Sequence, residues 1–100
     1  MELHDIHIDE AKLAEFCRAN HIVELLVFGS ATRSDFRNDS DIDVAITYEP
    51  NVKISLIDFA AHELDLTKLL GREVHLTERS TIPARYSEHF LRGAITAYAA

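Results

Sequence analysis

From residue 42 to residue 77 the sequence reads strand, helix, strand, and this succession constrains the fold more than anything else in the chain. Ile42 to Tyr48 is rich in β-branched residues and reads as a strand. Glu49-Pro50-Asn51 marks a turn. A long helix is expected from about Ser55 to Leu70, closed by Gly71. Arg72 to Thr77 is a further strand, with Val74 and Leu76 on one face and Glu73, His75 and Thr77 on the other. A strand–helix–strand crossover makes its two strands parallel and right-handed. Upstream, Ile22 to Phe28 is another strand, ended by Gly29, with about one helical turn expected from Ser30 to Ser34. Its short polar link to residue 42 implies an antiparallel pair. Ile8 to Asn20 reads as a helix with a Leu13, Phe16 and Cys17 stripe, and Pro83 opens a final helix carrying Phe90, Leu91, Ala94, Ile95 and Tyr98. The expected order is αβ(α)βαβα around a small mixed sheet, an α/β (α+β) architecture.

One hundred residues suit one domain, 1–100, with a core that needs no covalent staple. Cys17 stands alone, so no internal disulfide forms and a reducing, cytoplasmic setting is expected. It reads as a small core residue. The acidic start MELHDIHIDE is too polar for a signal peptide, and no apolar run is long enough to span a membrane. A net charge of −7 argues against direct binding to nucleic acid. It leaves room for a basic partner, or for a nucleotide delivered as its magnesium complex.

Asp41 and Asp43 raise the chemical question. Strand interiors disfavour Asp. Alternate strand residues share a face, so the two carboxylates stand side by side, about 6.5–7 Å apart at Cα. Such a pair repels unless a cation lies between. Carboxylate oxygens suit Mg²⁺, which takes one or two of them and completes its shell with phosphate and water. Upstream, Gly29-Ser30 ends a strand and opens a helical turn. Such a turn offers bare backbone N–H groups to a phosphate, and Gly29 adds no side chain to block approach. The Ser30 hydroxyl and Arg33 add donors. Phosphoryl or nucleotidyl transfer is the chemistry this suggests. Asp-x-Asp alone is common in turns, and Gly-Ser alone carries no weight; strand, Gly-Ser, ten residues and Asp-x-Asp in order are far more specific.

That order resembles the signature of the minimal nucleotidyltransferases of the DNA polymerase beta-like superfamily. FGSATRSDFRNDSDIDVAI, the helix ending KLLGREVHL and the C-terminal EHFLRGAITAYA match the family layout, covering the chain from about Val23 onward. The resemblance implies a mixed sheet with helices on one face and the site on the other. It implies an antitoxin paired with a helical HEPN-domain toxin in a hetero-oligomer, and transfer of AMP from ATP to a toxin tyrosine. Asp41 and Asp43 then hold Mg²⁺ and act in catalysis, and Gly29, Ser30 and Arg33 hold the nucleotide.

The sequence departs from the family in three places. Ala31 and Ser34 replace an Arg and a Gly usual in the loop. More consequentially, the third strand reads Val74-His75-Leu76 where the family carries a third acid. Imidazole is a poor ligand for Mg²⁺. Three readings stay open. His75 works as a base, its reference pKa being about 6.5; the enzyme is slow or uses Mn²⁺; or the site is degenerate and the protein neutralises its toxin by binding alone. Nucleotide transfer to a small molecule is a further alternative, disfavoured because so short a chain leaves little room for a substrate domain.

The long helix carries two apolar stripes, Ile57, Ala60, Ala61, Leu64 and Leu56, Phe59, Leu66, Leu70. One can pack on the sheet, and the second is core or an interface, the interface being expected of Leu56, Phe59, Leu66 and Leu70 or of the exposed side of the last helix. Glu63 interrupts this second stripe. His62 is expected on the polar face near Asp58 and Asp65. His4 and His7 have His-x-x-His spacing but read as solvated. His21 and His89 have no evident partner.

Overall fold

The structure is a computed structural model that describes residues 1–3, 6–32 and 41–100, Ser30 by its backbone alone. Two short strands, β1 (Glu2–Leu3) and β2 (Ile6–His7), form an antiparallel hairpin ahead of the first helix, α1 (Glu10–Ala19). Asp9 caps α1 by accepting from the Lys12 N–H. The main sheet contains β3 (Ile22–Phe28), β4 (Ile42–Tyr48), β5 (Val74–Glu78) and β6 (Ile95–Ala99) in the order β5-β4-β3-β6. β4 pairs antiparallel with β3 and parallel with β5, as the short link and the helical crossover require. The crossover helix, α2 (Leu56–Leu70), begins on a reciprocal Ser55–Asp58 capping box and ends on left-handed Gly71.

The pleat sorts β3, β4 and β5 into two faces. Leu25, Val27, Ile42, Val44, Ile46, Val74 and Leu76 are buried in one cluster with Leu13 and Cys17 of α1 and Leu66 and Leu70 of α2. Burial pushes the Cys17 thiol up to about 12, so it is an inert core residue at neutral pH. Among the described residues no helix is long and apolar enough to cross a membrane.

The C-terminal segment differs from the sequence expectation. The final helix, α3 (Ala84–Phe90), stops at Phe90, and Ile95 and Tyr98 belong to β6, antiparallel to β3. Gly93 turns the chain at φ +74, a conformation that costs other residues strain. The run ITAYA then finds in β3 an unpaired edge, and ladder hydrogen bonds there outweigh its weak helical pattern. The consequence reaches the opposite face of the sheet. β5 and β6 are its two outer strands, so residues 79–94 pass from one edge to the other. A 3₁₀ turn (Arg79–Thr81) and α3 lie on that path. Arg79 Nη1 holds the path to the sheet at Glu24 Oε1, 2.5 Å away.

The stripes of α2 are also assigned differently. Leu66 and Leu70 are buried and Phe59 is half-buried, while Leu56 is 88% exposed. Ile57 and Leu64 are 82% and 62% exposed, so the first stripe, not the second, faces outward. The packed spacing is Phe59, His62, Leu66, Leu70. His62, expected on the polar face, is buried with its Nδ1 2.7 Å from the Tyr48 hydroxyl and its ring edge-on to Phe16. Glu63 interrupts the apolar pattern for a structural reason: its Oε2 accepts from the Leu76 N–H at 2.8 Å. One turn on, Thr67 Oγ1 accepts from the Val74 N–H at 3.1 Å. These side chains occupy the outer edge of β5.

Candidate active site

Gly29 ends β3 with φ +72 and opens a 3₁₀ turn (Gly29–Thr32). Thr32 closes the turn by donating its hydroxyl to the Gly29 carbonyl at 2.8 Å. A Cβ built on Gly29 would overlap Asp43 Oδ2 and lie 3.1 Å from Asp43 Cγ. Glycine is therefore required twice, for its backbone angle and for the space its missing side chain leaves to the carboxylate.

Asp43 lies on the face of β4 opposite Ile42 and Val44, beside Phe28 of β3 and beside His75 of β5 in the strand register. His75 is exposed, and Val74 and Leu76 flanking it are buried. Three strands thus bring Phe28, Asp43 and His75 into one row. Asp41 is exposed one residue before β4, whose start is fixed by an Ile42 N–H to Glu73 carbonyl bond of 2.9 Å. The alternation of an extended chain assigns Asp41 to the same face as Asp43. Arg33 lies outside the described residues, and Ser30 is placed by its backbone within the turn.

A cleft of about 520 Å³ opens over this row. Gly29, Asp43 and His75 form part of its floor, and Pro83, His89 and Phe90 come from the crossing segment. His89 and Phe90 escape a sequence reading. Their place depends on the C-terminal strand that carries the chain across the sheet, and neither sits in a recognisable motif. Among the described residues, His7, His21 and His62 stay outside the cleft. His7 pairs with Glu2, His21 Nδ1 lies 2.9 Å from Glu49 Oε2, and His4 lies outside the described residues.

The donor set fits Mg²⁺. The carboxylate oxygens of Asp41 and Asp43 are hard donors, and the cleft beside Asp43 has room for the phosphate and water that would complete an octahedral shell. Among the described residues no group of three or more His, Cys, Asp and Glu converges as a self-sufficient metal cage. A cation there would be held jointly by carboxylates and a bound phosphate.

Comparison with known proteins gives four findings. Residues 10–97 match the model of the nucleotidyltransferase domain family. The protein adenylyltransferase MntA of Thermococcus cleftensis is 33% identical over 72 residues, which are 72% of this chain and 71% of that protein. Among solved structures, a minimal nucleotidyltransferase superposes with a TM-score of 0.67 at 32% identity, covering 89% of this chain and 96% of its own. The complex of a tri-AMPylated Shewanella oneidensis HEPN toxin with its MNT antitoxin superposes at 0.64 and 17% identity, covering 91% of this chain and 70% of that one. At that identity the likeness is one of fold.

Proposed function

The chain belongs to the nucleotidyltransferase domain family, and on that premise we propose that it is an antitoxin enzyme that transfers AMP from ATP to a tyrosine of a HEPN-domain toxin. The contact of Gly29 with the Asp43 carboxylate carries the reading. It brings the strand-ending turn and a carboxylate that would bind metal together in the lining of an open cleft. The naming of a 33% identical relative as a protein adenylyltransferase supports the chemistry. The HEPN toxin in a complex of the same fold supports the partner. The exposed stripe of Leu56, Ile57 and Leu64 supports a protein surface for it.

Gly29 and Ser30 would lodge the triphosphate against their backbone N–H groups, with Arg33 as a further donor. Asp41 and Asp43 would hold Mg²⁺, or Mn²⁺, which supplies charge neutralisation at the phosphates. The tyrosine oxygen bonds to the α-phosphorus as the bond to the β-phosphate breaks, and pyrophosphate leaves. His75, the neighbour of Asp43 in the strand register, would take the hydroxyl proton. The same His75 favours a second reading, since an imidazole where the family resemblance implies an acid would weaken the metal. In that reading the protein neutralises its toxin by complex formation only.

Mass spectrometry of a HEPN protein encoded beside this chain, co-expressed with it, separates the two. The enzyme adds AMP to the wild-type partner and Asp43→Asn adds none. His75→Asp raises the rate, and His75→Ala lowers it by about 10²–10⁴-fold if the imidazole is the base. Suppressed toxicity with no AMP added under Mg²⁺ or Mn²⁺ would leave the masking antitoxin.

A further inference from the structure

α3 is an unusual helix. Among its residues Ala84–Phe90 none is buried, yet it displays two large rings, Tyr86 at 46% and Phe90 at 51% exposure. A helix this short gains little from its own hydrogen bonds and normally depends on packing an apolar face. Here that packing is incomplete, and the helix is held from its two ends, by the Arg79–Glu24 pair and by β6. Phe90 meets its neighbours edge to face: His89 at 5.7 Å and 69°, Tyr86 at 6.3 Å and 68° between rings. Contacts of this kind steady the ring, and its 51% exposure leaves part of its surface open to a flat partner.

The cleft beneath is lined by two unlike sides. The sheet presents Phe28, Gly29, Asp43 and His75; the crossing segment presents Ile82, Pro83, His89 and Phe90. Its volume of about 520 Å³ falls within the range of roughly 300–1,000 Å³ usual for small-molecule sites. A ligand matched to it is anionic and metal-binding at one end and flat and aromatic at the other. A nucleoside triphosphate has that form.

We propose that Phe90, steadied by His89 and Tyr86, is the platform on which the purine base of the nucleotide stacks. The inference rests on the nucleotidyltransferase reading and adds where the base lies. It makes Phe90 a binding residue of the nucleotide rather than of the acceptor protein.

The test compares equilibrium binding of Mg-ATP and of Mg-tripolyphosphate, which lacks sugar and base, to the wild-type chain and to Phe90→Ala and Phe90→Trp. The wild type should prefer ATP. Phe90→Ala should reduce that preference by about tenfold, the scale of one lost base–aromatic stack, with tripolyphosphate binding unchanged. Phe90→Trp should keep it. An unchanged preference in Phe90→Ala overturns the proposal even if AMP transfer falls, because the ring would then serve the acceptor. Equal loss of both ligands also overturns it, as that marks a damaged cleft. A wild-type chain that binds tripolyphosphate and ATP equally removes the base platform and leaves the nucleotidyltransferase reading standing. One that binds neither removes both.

Discussion

Two glycines in left-handed conformation separate strain from space. Gly71 (φ +69) has nothing within 4 Å of a built Cβ, whereas Gly29 (φ +72) would put one into Asp43. Gly71→Ala should therefore cost only the backbone penalty, about 1–2 kcal/mol in a urea melt, and keep nucleotide binding. Gly29→Ala should cost at least as much and also lose Mg-ATP binding, because the carboxylate must move. Equal binding in the two variants would show that the close approach to Asp43 has no bearing on the ligand. Much at this scale is legible in sequence. The period of two puts His75 and Asp43 on one face without coordinates, and the strand register then sets them side by side. The partner of His62 is not legible, since a histidine between Asp58 and Asp65 reads as solvated until Tyr48 is known to lie beneath it.

At the scale of the element, α2 shows why stripe assignment fails from sequence. Both stripes are apolar enough to pack, and the choice is settled by the polar residues between them. Turning Phe59, Leu66 and Leu70 inward brings His62 to Tyr48 and Glu63 to the Leu76 N–H. Turning Ile57 and Leu64 inward would leave β5 without those acceptors. Glu63→Ala should destabilise by about 1–3 kcal/mol in chemical denaturation, the cost of stranding a donor in a part-buried site. Leu64→Ala, on the exposed stripe, should shift stability by under about 0.5 kcal/mol. A Glu63 variant as stable as the Leu64 one would mean that water replaces the carboxylate at no cost.

Across the whole molecule, His62 joins three elements: its own helix, Tyr48 of β4 and the edge of Phe16 in α1. Burial lowers the His62 pKa below 6.5 despite Asp58 and Asp65, which pull the other way. Burial, with Glu78 and Asp58 nearby, raises Tyr48 to about 12. At neutral pH a neutral imidazole thus faces a protonated phenol. Above about pH 6.5 both folded and unfolded chains carry His62 uncharged, and its contribution to stability is complete. As pH falls below that value the unfolded chain takes up a proton that the folded chain refuses, and stability is lost until the folded group itself protonates. Urea midpoints at pH 7.5 and 5.5 should differ more in the wild type than in His62→Gln; identical differences would show that the buried ring is not the source.

The order and pairing of β3, β4, α2 and β5 follow from local patterns, whereas β6 does not. Its five residues are decided by a partner strand far back in the chain, and no window of sequence contains both. That pairing also fixes an order in time. During synthesis β5, β4 and β3 emerge before the strand that completes their sheet, so β3 waits with one edge open until residues 95–99 leave the ribosome. The cleft cannot close over its floor before then, because the segment bearing Phe90 is anchored at its Arg79 end alone until β6 pairs.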